Sequence, residues 1–263
     1  MTESPIDDPF RRLSYRRLIA WPARIEREWP FFQPWIEAAP RKSLIDLGCG
    51  TGEHCRFLAS KGVRAVGIDR SSAQVEQARE FEGAFGPSGP DFLEGEIADL
   101  PRLTTERFGS AICLGNVFPY LEDEPMRRAL RALSASLLPG APLIVQLINY
   151  ERIFEKEIRH LPINVRPAPE GEPGEIVWVR LMTRVGKNQI MFHPTTLRLL
   201  PGEDPPVVVH AAREVLLRAW LWSELEPLLE EAGFSGFERF GDMRRAPFDR
   251  SESQDLIFVA KRG

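Results

Sequence analysis

Leu44-Ile45-Asp46-Leu47-Gly48-Cys49-Gly50-Thr51-Gly52 decides the fold of this chain. The first four residues read as a short buried strand carrying one acid. A Gly-x-Gly-x-Gly turn follows, and a helix-like segment starts at Glu53. Glycines at alternate positions let a backbone bend sharply and approach a ligand with no Cβ in the way. The next apolar run, Arg64-Ala65-Val66-Gly67-Ile68, ends in Asp69. That acid lies about twenty residues past the glycines, where a β-α-β unit sets a carboxylate against a ribose. A nucleoside site at the head of the core is the reading that follows.

The nucleoside is not a dinucleotide. The dinucleotide fingerprint needs a third glycine where this chain has Glu53, and an acid at a helix start opposes a pyrophosphate. No Gly-Lys-Ser/Thr follows the loop, so the nucleoside triphosphate reading fails as well. Asp46, just before the first glycine, suits a ligand that carries a cation. Together these residues resemble motif I of the class I S-adenosylmethionine (SAM) methyltransferases. The resemblance implies that Gly48, Cys49, Gly50 and Gly52 face the amino-acid tail of SAM with Asp46. It implies that Asp69 holds the ribose hydroxyls, with Arg70 beside it. The alternative is an ordinary strand-turn-helix corner.

The chain has 263 residues, enough for one large α/β domain or a core with a small lid. A net charge of −4 gives no bulk attraction to nucleic acid. Arg11-Arg12, Arg16-Arg17 and Arg127-Arg128 sit among acids at helical spacing and read as solvated helix faces. Cys49, Cys55 and Cys113 form no closed disulfide set and no zinc-type pair. Met1 to Pro9 is acidic and polar, unlike a signal peptide, and no apolar run reaches the length of a membrane span. The expectation is a cytoplasmic protein with no membrane or nucleic-acid partner, acting on a small molecule; a homodimer is left open.

Strands and helices alternate through the first part of the chain. Strands are expected at 43–48, 64–68, 91–94, 109–114 and 142–148, with helices at 53–61, 72–82 and 122–138. Helical crossovers between strands imply a parallel sheet. Upstream, a helix over 10–28 is expected, with Pro22 as a break and a second short helix over 31–38. After Tyr150 three β-rich runs, 175–184, 188–199 and 206–217, follow without helices, which reads as an antiparallel meander. A helix over 223–232 and strands at 236–241 and 254–260 close the chain. The fold class is therefore α/β: a doubly wound, seven-stranded, mostly parallel sheet of Rossmann-like class I methyltransferase type. The resemblance implies that residues 1–40 form a helical lid and 41–149 with 218–263 the SAM-binding core, and 150–217 is expected as an insertion covering the acceptor side.

The segment after the third strand, Glu94-Gly95-Glu96-Ile97-Ala98-Asp99, resembles the methyltransferase stretch that reads adenine. The resemblance implies a carboxylate at Glu96 for the amino group and a backbone amide at Ile97 for the ring. A carboxylate discriminates adenine because it only accepts. An exposed acidic loop is the bland alternative. Beyond the fourth strand, the resemblance implies that Leu114 and Gly115 run along the methionine tail. Asn116 and Tyr120 are the candidate catalytic residues, and Phe118 a wall of the transfer site. The alternative makes Phe118 core and Asn116 a turn cap.

Cys113-Leu114-Gly115-Asn116, Asn149-Tyr150 and Gly241-Asp242 look like the glycine/sarcosine N-methyltransferase branch, and sugar-amine N-methyltransferases share the plan. Glycine-type enzymes carry an arginine just before the Asn-Tyr pair; here that position is Ile148, which puts glycine itself in doubt as substrate. Arg152 or Arg180 can substitute. The resemblance also implies that Tyr15, Trp21 and Arg24 close over the cofactor, unless Arg24 only pairs with Glu28 one turn on. Asn116, Phe118, Tyr150, Trp178, Arg180 and His193 are the candidate acceptor contacts. His54 reads as structural, and none of the four histidines shows metal spacing. The expected reaction is in-line methyl transfer from SAM to a small-molecule acceptor, most readily an amine. The rivals are a SAM-consuming enzyme that attacks the aminocarboxypropyl arm, releasing methylthioadenosine, and a SAM-binding protein without catalysis.

Overall fold

The computed structural model describes residues 19–80, 89–168 and 171–263. Strand β1, Ser43–Leu47, is buried along its whole length, because it pairs on both edges and is covered on both faces. It lies between β2, Arg64–Asp69, and β4, Ser110–Cys113, both parallel to it. β3, Asp91–Glu94, extends the sheet beyond β2, and β5, Pro142–Ile148, extends it beyond β4. Two antiparallel strands, β11 (Phe234–Phe240) and β12 (Asp255–Arg262), complete the order β11-β12-β5-β4-β1-β2-β3. This is the seven-stranded, mostly parallel sheet expected from the sequence.

The period of two along β1 divides its side chains between two apolar layers. Ile45 and Leu47 pack with helices α4 (Asp123–Ser136) and α6 (Trp222–Glu231) through Met126, Leu130, Leu225 and Leu229. Leu44 packs on the other side with α1 (Trp21–Glu37), α2 (Glu53–Ser60) and α3 (Ser72–Arg79) through Phe31, Phe32, Leu58 and Val75. The chain order reverses between β1 and β4, which opens a crevice at the carboxyl ends of those strands.

The amino-terminal segment corrects the sequence reading. α1 is one helix, with Pro22 in its first turn and Pro30 and Pro34 inside it. Proline removes a helix donor and crowds the preceding turn. Here burial of Phe31, Phe32 and Ile36 against the sheet outweighs that penalty. The expected helix before residue 19 and the candidate Tyr15 lie outside the described residues.

Between β5 and α6 the chain forms a short helix α5, Tyr150–Glu155, and a second sheet. That sheet is antiparallel, in the order β10-β8-β7-β6, with β9 also paired to β8. Its strands are β6 (Asn164–Pro167), β7 (Glu175–Arg184), β8 (Gln189–Leu199), β9 (Val207–Ala212) and β10 (Val215–Arg218). The run expected at 206–217 is two strands laid end to end along one edge of β8, interrupted at Arg213-Glu214. β6 is only four residues long with one apolar aliphatic, Val165, so no apolar period announces it. Tyr150, Ile153, Met182, Ile190 and Ala219 join α5 to this sheet in a small core of their own. Among the described residues no helix is long and apolar enough to cross a membrane.

Candidate active site

A cleft of about 1810 Å³ opens at the carboxyl ends of β1, β2, β4 and β5. A drug-sized ligand usually occupies roughly 300–1,000 Å³, so two small molecules fit side by side. One half is built on the glycine turn. Gly48 and Cys49 both donate backbone N–H bonds to Ile68 O, at 2.8 and 3.0 Å, which ties the turn to the end of β2. Asp69 completes the tie: its Oδ2 accepts from Gly50 N and its Oδ1 from Ser71 N, each at 2.9 Å. Gly52 caps α2 with a left-handed φ of 79°. Glu53, in the first turn of α2, accepts from Thr51 Oγ1 at 2.5 Å and from Arg56 at 2.9 Å. The helix start is thus already occupied by a paired anion, which explains in structural terms why a pyrophosphate does not belong there.

Asp46 lies beneath the turn, buried, with Cys55 Sγ 3.7 Å from its Oδ2. Burial pushes its carboxyl up to about 6, against a smaller opposing pull from His54. Above it α1 contributes Glu28, which accepts from His54 Nε2 and Arg24 Nε, both at 2.8 Å. Burial raises the Glu28 carboxyl, but its bond to His54 and the charge of Arg24 outweigh that and leave it below its ordinary value. Trp21 meets the His54 ring edge-on at 5.4 Å, and the Arg24 guanidinium lies 5.0 Å from the Trp21 ring.

The backbone after β4 makes the boundary between the two halves of the cleft. Gly115 N donates to Gln146 Oε1 at 2.8 Å, and Gln146 Nε2 donates to Asp255 Oδ1 at 2.9 Å. Asn116 has a left-handed φ of 68°. Its Oδ1 accepts from Ile148 N at 3.0 Å and its Nδ2 donates to the Tyr150 hydroxyl at 2.8 Å. In the other half, Trp178, Arg180, Phe192, Pro194 and Thr196 of β7 and β8 line the cleft.

Residues 44–140 match the family model described as a methyltransferase domain. Over those residues the chain carries a methyltransferase domain. It is 34% identical over 143 residues to a glycine/sarcosine N-methyltransferase of Parasynechococcus marenigrum, covering 53% of this chain and 49% of that protein. The match therefore spans about half that relative's length. A glycine/sarcosine N-methyltransferase of Aphanothece halophytica is 29% identical over 255 residues, covering 93% of this chain and 85% of that one. Among solved structures, SAM-bound CalS10, an amino pentose methyltransferase from Micromonospora echinaspora, superposes with a TM-score of 0.69 at 21% identity over 95% of each chain. That last likeness is one of fold.

The cofactor that goes with this domain is SAM, and the cleft fits it. A Cβ on Gly115 would meet nothing within 4 Å, and one on Gly50 only Gln74 Oε1 at 3.5 Å, so both glycines leave open space toward the cleft. Asp46, Gly48, Cys49, Gly50, Asp69 and Arg70 line it. So do Glu96, Ile97, Leu114 and Gly115, and from α1 Trp21 and Arg24. Arg24 thus both pairs with Glu28 and reaches the cleft. Tyr120 lines it too, with the Arg70 guanidinium 5.3 Å from its ring.

Four residues named from the sequence stand elsewhere. Gly52 faces Phe92, 2.5 Å from where its Cβ would be, because its work is to cap α2. Phe118 is only 1% exposed in the core beside Met126; in the tight turn Phe118–Tyr120 the two aromatics point to opposite sides. Tyr150 is equally buried and touches the site only through its hydroxyl on Asn116. His193 lies between Phe192 and Pro194, which face the cleft, so strand alternation turns it outward. There its Nδ1 lies 3.4 Å from Glu214. The cleft also contains Gln146, Arg152 and Asp255, of which sequence reasoning named only Arg152. A lone polar residue in the apolar run Pro142–Ile148, and an acid at the start of the run Asp255–Ala260, are the signals that would have found the other two.

Two glycines of the turn separate fold from ligand. Gly48→Ala sets a Cβ 2.5 Å from Val117 Cγ2 at a φ of 72°. A left-handed non-glycine residue costs about 1–2 kcal/mol before any clash, so the melting temperature should fall by several degrees. Gly50→Val carries the backbone cost too, at a φ of 55°, but its side chain projects into open cleft rather than into a neighbour. It should reduce SAM binding far more than it lowers the melting temperature. Calorimetry and thermal unfolding on the two variants check both outcomes.

The buried carboxyl of Asp46 makes the unliganded fold sensitive to pH. Its proton is bound more tightly in the folded chain than in the unfolded one, so its contribution is complete below about pH 4 and is lost as pH rises through about 6. Asp46→Asn should remove that decline and raise the apo melting temperature at pH 7 by a few degrees. Melting curves from pH 4 to 8 should converge for variant and wild type at the acidic end.

Proposed function

We propose that this protein N-methylates a small-molecule amine that also carries an acidic group. The observation that carries the reading is Arg152. Its guanidinium lines the acceptor half of the cleft, makes no ion pair among the described residues, and its Nε is buried without a hydrogen-bond partner. A buried guanidinium donor left unpaired is costly, and an anion on the acceptor would satisfy it. Ile148, the last residue of β5 and four positions earlier in the chain, lines the same cleft where the glycine-type arginine is expected. The anion would therefore sit farther from the transfer point than in glycine, which favours a longer acceptor. The names of the relatives, glycine/sarcosine N-methyltransferases and an amino pentose methyltransferase, support nitrogen as the nucleophile.

SAM supplies an activated methyl group on a sulfonium, so the residues of the chain align and shield more than they activate. In this reading Asp69 holds the ribose, Glu96 and Ile97 the adenine, and Arg24 with the glycine turn the amino-acid tail. Asn116 sets the course of the backbone between cofactor and acceptor. The sheet formed by β6–β10 covers the acceptor, with Trp178 and Arg180 stacked at 4.4 Å on its inner face, and the amino-terminal helix closes the cofactor side.

The test is to incubate the protein with SAM and a panel containing glycine, sarcosine, longer amino acids and amino-sugar phosphates. S-Adenosylhomocysteine and a methylated amine are expected, with glycine among the poorest acceptors. Methylthioadenosine would mean attack on the other arm of the cofactor, and no by-product would support a binding role.

A further inference from the structure

Asp255 is a carboxylate that nothing described above uses. It is the first residue of β12 and pairs in register with Ile148, the last of β5, so it stands at the carboxyl edge of the sheet and lines the cleft. Gln146 is held at both ends, by Gly115 N on its oxygen and by Asp255 Oδ1 on its nitrogen. An amide bonded at both ends has one orientation, so Gln146 fixes the carboxylate relative to the backbone that borders the transfer point. Among the described residues no hydrogen bond reaches Asp255 Oδ2, and no lysine, arginine or histidine makes an ion pair with it. The charged groups that act on it are Arg24, Arg27 and Glu28, all across the cleft on α1. An asparagine would anchor Gln146 equally well. A partly buried carboxylate with one amide donor is costly to keep unless it meets a cation.

We propose that Asp255 binds the ammonium group of the acceptor and takes its proton before methyl transfer. This rests on the N-methylation reading. Aliphatic amines are mostly protonated near neutral pH, and an ammonium nitrogen has no lone pair to attack with. The carboxylate of Asp255 accepts one proton from R–NH3+; the N–H bonding pair stays on nitrogen as the lone pair of R–NH2. Asp255, now a neutral acid, returns the proton to water through the open cleft. Burial, opposed by the bond from Gln146 and the charge of Arg24, pushes its carboxyl up to about 6, closer to working pH than an ordinary aspartate and so better matched to this relay.

The test compares the full-length wild type with Asp255→Asn, which keeps the bond from Gln146. Both are loaded with S-adenosylhomocysteine and titrated with propylammonium chloride, and with 1-butanol as a neutral counterpart, by ligand-observed NMR. The wild type is expected to bind propylammonium at least tenfold more tightly than the variant. Butanol binding and S-adenosylhomocysteine affinity should agree within about twofold. With the best amine of the panel, kcat of the variant should fall at least a hundredfold at pH 7 and recover as pH approaches the acceptor's own pKa. Equal propylammonium binding overturns the ammonium subsite, and a wild-type pH profile in the variant overturns the proton role. Loss of S-adenosylhomocysteine affinity would assign Asp255 to the cofactor and overturn both. Asp255-dependent propylammonium binding in a protein that methylates no amine would leave the subsite standing while N-methylation and the proton step fall.

Discussion

Asp69→Ala is expected to weaken SAM binding by about 1.5–3 kcal/mol, roughly ten- to a hundredfold, the scale of hydrogen bonds to a charged group. The carboxylate closes the glycine turn through Gly50 N and orders the entry to α3 through Ser71 N. Asp69 also lines the cleft, where ribose hydroxyls would donate to it. Alanine removes the ligand's acceptor and loosens the turn that shapes the pocket. Titration calorimetry on the folded variant checks this, and unchanged affinity would remove Asp69 from the cofactor site.

Asn116→Ala should have the larger effect on turnover. Asn116 holds a left-handed conformation that alanine adopts at a cost of about 1–2 kcal/mol. The substitution also strips Ile148 N of its acceptor and leaves the buried Tyr150 hydroxyl without the donor it has now, at about 1–3 kcal/mol. That hydroxyl stays neutral, because burial pushes it up from the ordinary tyrosine value. The melting temperature should therefore fall. If the Gly115-Asn116 backbone also sets the meeting point of methyl and acceptor, kcat should drop by two or more orders of magnitude. SAM affinity should stay within about tenfold, or roughly 1.4 kcal/mol. Normal turnover in the folded fraction would confine Asn116 to holding the fold together.

The core was legible because its strands are apolar runs buried on both faces. β1 through β5 fall within a residue or two of their expected positions, and the glycine turn and Asp69 announced themselves by spacing. Proline misled at α1, where packing of Phe31, Phe32 and Ile36 overrides a local rule. β6 escaped because four residues, Asn164–Pro167 with a single apolar valine, are too few to show a period. In the site, side-chain direction was the missing information. Phe118 and Tyr120 differ by two positions in a tight turn, and His193 by one in a strand, and each difference exchanges cleft for its opposite. Gln146 and Asp255 escaped because their relation exists only across β5 and β12.

The second sheet, which lines one half of the cleft, has two faces that answer to different demands. Trp178, Arg180, Phe192 and Pro194 look into the cleft, while Leu181 and His193 look away from it. Register and backbone pairing do not depend on which side chain fills an inward position. Substitutions at every second residue of β7 and β8 can thus retune acceptor choice while the cofactor-binding chassis stays fixed. On the proposed function, a library randomised at those few inward positions alone should shift the choice of acceptor without disturbing cofactor binding.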